Sequence, residues 1–203
     1  MIPRILPFIL FLLPLTQISA QCNKPYPSDN ACTAPYFCNT AQLNAHCSTI
    51  RVPIFGKTYL NPKGFCGSLE SPSWYKIKAN SATLSLRFTA GAGCGTDGVQ
   101  AVIFSTTNCA DSASFTPVSN CINSNGGQPV ADVTATNLNA GQTYYLLVDG
   151  YSGAGCSFNI TVLSGTIQNV VDPLPAPTAV YGASIVCAGV SSSVYSVPAN
   201  LNA

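Results

Sequence analysis

From residue 67 onward apolar and polar positions alternate with a period of two, the mark of strands that bury one face. Tyr75, Ile77 and Ala79 fall on one face of the first run, and Leu84, Leu86 and Phe88 alternate with Thr83, Ser85 and Arg87 in the second. The run 99–105 (VQAVIFS) is apolar on both faces, as a central strand is, whereas 115–120 (FTPVSN) carries Pro117, which confines it to an edge or a bulge. Residues 132–136, 143–149 (TYYLLVD) and 157–163 (SFNITVL) complete the set, the last pointing Phe158, Ile160 and Val162 one way. Between them lie Gly-Ala-Gly-Cys-Gly, Asn-Gly-Gly and Asp-Gly-Tyr-Ser-Gly, which are turn chemistry. Seven short strands at this spacing, without a helical period, predict an all-β fold: a disulfide-stapled antiparallel β-sandwich, Ig-like or jelly-roll-like, over 67–164.

The flanks have other textures. Residues 1–20 run from one basic residue, Arg4, through the apolar stretch Ile5 to Leu15 to Ile18-Ser19-Ala20. That is the order of a secretory signal peptide cleaved after Ala20, and its apolar stretch is well short of the roughly 20 residues a membrane span needs. Gln21 rather than a small residue precedes Cys22, which argues against a lipid anchor. Residues 21–66 are rich in cysteine and proline and read as a loop-rich N-terminal segment. Alternation stops at Ser164, and Asp-Pro-Leu-Pro-Ala-Pro (172–177) marks 165–182 as a stiff, extended linker. The remaining 183–203 resume a strand-like pattern but are too few to bury a core. They read as the start of a second module, the rival being a tail that folds back on the first.

All ten cysteines follow the signal, so each reaches an oxidising compartment where disulfides persist. No Cys-x-x-Cys pair exists and His46 is the only histidine, which disfavours zinc. Cys109 and Cys121 flank one predicted hairpin, and closing their loop is worth about 3 kcal/mol in the chain-entropy account, so they are expected to pair. Cys66 and Cys156 at the first and last strands form a second candidate pair, for which Cys94 competes with either. Cys187 would find its partner in the second module. Losing Arg4 leaves seven of eight Lys+Arg against seven Asp+Glu, a mature formal charge of zero. There is no basic stripe for nucleic acid or anionic lipid.

Several motifs together resemble a β-sandwich module of very large exported proteins of Bacteroidetes, where such domains precede Ig-like or PKD-like repeats. They are CGSLESPSWYKIKA (66–79), CGTDGVQAVIFSTTNC (94–109), PVSNC (117–121) and NLNAGQTYYLLVDGYSGAGCSFNI (137–160). The end of the last also resembles the bacterial pre-peptidase C-terminal domain, a sandwich appended to secreted peptidases. Cys187-Ala188-Gly189, then Val194-Tyr195-Ser196-Val197-Pro198, is similar to the opening of a PKD-like repeat, with Ala188 where that repeat usually has Pro. The resemblance implies secretion or cell-surface display, with adhesion or envelope architecture as the role.

Candidate sites are few. Leu138-x-x-Gly141-x-x-Tyr144 has the spacing of a tyrosine corner, a structural device. Trp74, the only tryptophan, suits core packing or a stacking platform for a ligand. Asp97 in Gly-Thr-Asp-Gly and Asp149 in Asp-Gly-Tyr-Ser-Gly could each lend a carboxylate to calcium, although Asp is also an ordinary turn residue. No other cofactor is implied. A serine triad needs a histidine base, and His46 lies in a cysteine-crowded loop with no Gly-x-Ser-x-Gly elbow in the chain. Glu70 is the only Glu and the Asp residues are spread through turns, unlike a glycosidase pair. The expectation is a non-catalytic secreted or surface module for adhesion or display, the N-terminal part of a larger protein. Two rivals are an accessory domain that holds a secreted hydrolase on a carbohydrate or matrix, motivated by Tyr26, Tyr36, Tyr59 and Tyr151, and a pure spacer. Expected partners are an extracellular glycan or a matrix or surface protein, with no nucleic acid and no membrane insertion.

Overall fold

The period-two runs become strands at the expected places because each can bury one face only against a second sheet. The structure is a computed structural model that describes residues 25–91, 94, 98–123 and 129–170. The signal peptide, Asp97, Cys187, most of the 165–182 linker and the start of the second module lie outside the described residues. Among the described residues a short helix α1 (Thr40–Asn44) is followed by nine strands: β1 (Cys47–Thr49), β2 (Ser73–Lys78), β3 (Leu84–Ala90), β4 (Val99–Ser105), β5 (Thr116–Pro117), β6 (Ile122–Asn123), β7 (Val130–Ala135), β8 (Thr143–Gly150) and β9 (Ser157–Ser164).

They form two antiparallel sheets, one ordered β1-β9-β3-β7 and one ordered β2-β8-β4-β5, with β6 also on β4. The all-β sandwich is therefore the architecture. β4 is central, as its unbroken apolar run requires, and Pro117 sits on a two-residue edge strand. Between the sheets lies a core that includes Tyr75, Ile77, Leu86, Phe88, Ile103, Leu146 and Phe158, each at most 1 % exposed.

The N-terminal segment is part of this module rather than a leader to it. Phe37, Leu43 and Ile50 enter the main core, and β1 adds an edge to the first sheet. Ser28 exchanges backbone hydrogen bonds with Trp74 at 2.8 and 3.3 Å, the Lys76 N–H donates to the Pro35 carbonyl at 2.7 Å, and Phe37 donates to the Lys76 carbonyl at 3.0 Å. Those bonds cover the outer edge of β2, which would otherwise offer an unpaired row of donors and acceptors. At the other end Ile167 pairs with Ala79 and is buried, so the fold continues past Ser164.

Residues on β2, β8 and β4 that point away from the sandwich core meet a second, smaller core. Trp74, Val102, Phe104 and Leu147 pack there with Phe115 under Ala31 and Ala34. This covering explains why 99–105 carries no polar alternation, and it settles Trp74, 2 % exposed, as a packing residue.

Both disulfide expectations are corrected. Cys109 joins Cys32 and Cys121 joins Cys66. The segment between Cys109 and Cys121 is not one hairpin, because β5 pairs with the end of β4 at Phe104 and Ser105 while β6 pairs near its start at Gln100 and Ala101. Cys109 is instead tied to the N-terminal segment, and Cys121 to the stretch that leads into β2. Cys156 instead joins Cys94 inside the main core. The second sheet lies between Cys156 and Cys66, since Cys66 and its partner Cys121 belong to the outer layer. Cys47 is also disulfide-bonded, and Cys38 is a free thiol.

Candidate functional site

His46 and Asp149 are both turned inward. His46, 3 % exposed, meets Phe37 edge-on at 4.8 Å, and its Nε2 lies 3.0 Å from the Tyr75 hydroxyl. Burial pushes the Tyr75 phenol well above its usual range, while a hydrogen bond with Ser48 opposes the shift. A general base has to reach a substrate proton, and this imidazole is sealed between strands. It packs as a core residue.

Asp149 is fully buried at the end of β8, opposite Gln100 on β4. One carboxylate oxygen accepts from the Glu70 N–H at 2.8 Å, and the other accepts from Ser71 at 3.1 Å and Gly150 at 2.8 Å. Burial pushes its pKa up to about 6, the three N–H groups pull it down, and the Glu70 charge adds a smaller upward push. Gly150 must be glycine, because a Cβ there would meet the Ala154 carbonyl oxygen at 1.9 Å. The carboxylate therefore pins the 70–71 backbone to the end of the sheet. Among the described residues no group of three His, Cys, Asp or Glu side chains gathers around a common point, and Asp97, the other expected calcium residue, lies outside them.

What turns outward was not singled out from the sequence. The loop after β1 exposes Val52 (71 %), Ile54 (55 %), Phe55 (105 %) and Leu60 (43 %). Phe55 stands at the tip of a turn closed by the Lys57 N–H donating to the Ile54 carbonyl at 3.1 Å, with Gly56 at φ +77° supplying the left-handed position. This loop is tied to residues 26–29 by an ion pair between Lys57 and Asp29, and the Lys57 ammonium lies 5.0 Å from the Tyr59 ring centroid. The hydrogen bond to Asp29 raises the Lys57 pKa. Tyr26, 62 % exposed, adjoins this patch in sequence.

Beneath the loop runs a narrow trough. Tyr59, Ile54, Pro27 and Pro72 give it apolar walls. Thr49, Ser71 and Ser73 give it hydroxyl-bearing residues, and Asp29 and Arg51 bring charge to it. The enclosed part holds about 20 Å³ and opens to solvent. Ser71 is one of the two residues that Asp149 pins, so the floor is fixed to the sheet. The only sequence signal was Val-Pro-Ile-Phe-Gly-Lys-Thr-Tyr-Leu (52–60), apolar residues without strand alternation between Pro and Gly.

The tyrosines considered for sugar stacking do not form a row. Tyr36 is half-buried at the β2 edge, its hydroxyl 3.1 Å from that of Thr143, and Tyr151 lies in the turn after β8. Of the four, Tyr59 lines the trough, and Tyr26 precedes Pro27, another of its lining residues, in the chain.

No family model matches the sequence, and no curated protein matches it, so the likenesses to the pre-peptidase C-terminal and PKD-like families rest on motifs alone. One solved structure similar to this chain is chitosan-binding module 1 from a chitosanase/glucanase of Paenibacillus sp. IK-5. The two are 16% identical, the match covers 60% of this chain and 97% of that one, and the TM-score is 0.30. Three disulfides among the described residues fit an oxidising, extracellular setting, and no described helix is long and apolar enough to cross a membrane.

Proposed function

We propose that this chain is a non-catalytic extracellular adhesion module whose contact surface is the 51–60 loop with residues 26–29. The observation that carries this reading is a division of labour. His46 and Asp149 are spent on holding the fold, whereas Val52, Ile54, Phe55 and Leu60 are held in water on one short loop. Exposed apolar side chains cost solubility, and grouped ones mark contact sites. The scaffold under the loop is rigid, with the Asp149 anchor on one side and the disulfide-bonded Cys47 at the start of β1 on the other. Rigid presentation lowers the ordering cost of binding.

The test is retention of beads coated with the oxidised chain on surfaces bearing polysaccharides or matrix proteins. Wild-type beads are expected to hold to at least one surface, and beads with Phe55→Ser and Ile54→Ser together to lose that hold while their circular dichroism is unchanged. Equal retention of both would remove the loop from the function. A second reading, the accessory carbohydrate-binding domain of a secreted hydrolase, is favoured by the trough, where an aromatic ring, hydroxyl-bearing residues and charged groups meet as they would around a sugar.

A further inference from the structure

The trough lies next to one unbalanced charge. Lys57 is paired with Asp29, but the exposed Arg51 makes no ion pair among the described residues, so the rim carries a guanidinium without an acidic partner. The enclosed space of about 20 Å³ admits one water-sized polar group and excludes a sugar ring. A ring can only lie across the mouth, where Tyr59 and Ile54 offer an apolar ledge. Guanidinium groups bind carboxylates through two parallel N–H···O bonds, and the half-buried Tyr59 ring, with the Lys57 ammonium 5.0 Å from its centroid, leaves its remaining surface to an apolar ligand face.

We infer that the trough binds an acidic pyranose, a uronate unit of an extracellular polysaccharide, with its carboxylate on Arg51 and its ring across Tyr59 and Ile54. The inference rests on the contact role proposed for this loop and adds the ligand class. A neutral sugar would leave Arg51 unpaired. A cationic sugar would be repelled by Arg51 and would have to displace Lys57 from Asp29. With a formal net charge of only +1, the chain has little general attraction for polyanions, so binding has to be local.

The experiment is affinity electrophoresis of the oxidised full chain in gels containing polygalacturonate, alginate, a neutral β-glucan or chitosan, at low and high salt. Retardation is expected in polygalacturonate or alginate only, weakening severalfold at high salt. Arg51→Gln should weaken it about tenfold, the effect of losing one charge-assisted pair, while Lys63→Gln, an exposed cation outside the trough, should leave it unchanged. Equal loss in both variants would mean diffuse charge attraction and overturn the site. Retardation by the neutral or cationic gel, or by acidic gels regardless of Arg51, would overturn the uronate while leaving the adhesion role standing. No retardation in any gel, with beads still held on a matrix protein, would also overturn the uronate alone; no hold on any surface would overturn both readings.

Discussion

The hydroxyl of Tyr144 accepts a hydrogen bond at 2.9 Å from the backbone N–H of Asn139, five residues upstream. This closes the turn into β8, and Gly141 at φ +86° lets the chain reverse beneath the ring. Tyr144 is 2 % exposed, so its hydroxyl has this backbone group in place of water. Tyr144→Phe keeps the packing and strands the donor. The expected loss is about 1–2 kcal/mol of stability, read as a lower urea midpoint with an unchanged slope.

Asn120 performs a comparable task at a sheet edge. Its side-chain nitrogen donates to the Asp132 carbonyl at 2.9 Å and its side-chain oxygen accepts from the Thr134 N–H at 2.7 Å, the bonds a neighbouring strand would make with β7. The amide thus caps an edge that could otherwise pair with another molecule. Asn120→Ala should cost about 1 kcal/mol and raise concentration-dependent self-association, measured by sedimentation velocity. A monomer at every concentration tested would show that the edge is protected by other means.

Much of this fold was legible because period-two burial speaks directly in sequence. The strands from Ser73–Lys78 to Ser157–Ser164, apart from the two-residue β6 (Ile122–Asn123), and the tyrosine corner follow from local patterns. The role of residues 25–66 was not legible. Phe37, Leu43 and Ile50 show no alternation, because they enter the core from a loop, from the short helix α1 and from the end of β1 respectively, and answer to tertiary contacts. Cysteine pairing failed for the same reason: Cys32 meets Cys109 only because the N-terminal segment crosses the outer face of the second sheet. The candidate site was least legible of all. Nothing in Val-Pro-Ile-Phe-Gly tells an exposed apolar loop from a buried one, since that depends on what the rest of the chain leaves uncovered.

The Cys32–Cys109 bond closes 77 residues, and in the chain-entropy account a loop of that length is worth about 4.5 kcal/mol. It also fastens the N-terminal segment over Trp74, whose ring lies 5.4 Å from that of Phe115. Replacing both cysteines by serine should loosen this cover before the main core, which keeps Cys94–Cys156. Because Trp74 is the only tryptophan, the loosening has a clean signal. Its emission should shift to the red at denaturant concentrations where far-ultraviolet circular dichroism is still native. Coincident transitions would mean that the outer layer and the sandwich unfold as one unit.

Asp149 gives the module an acid dependence opposite to that of most paired carboxylates. Its folded pKa is about 6 against an ordinary 3.8, so the native state takes up a proton at a pH where the unfolded chain stays ionised. Protonation then favours folding. This contribution is absent above about pH 7, grows as pH falls through 6, and is complete below about 4, where it reaches about 3 kcal/mol for a shift of this size. Among the described residues the charged side chain acting on Asp149 is Glu70, whose repulsion works in the same direction. Urea midpoints measured from pH 7 to pH 4 should therefore rise, and Asp149→Asn, which cannot ionise, should flatten the rise whatever it does to stability at neutral pH. A wild-type midpoint that falls steadily over that range would mean that the three N–H bonds from Glu70, Ser71 and Gly150 outweigh the cost of burying the charge.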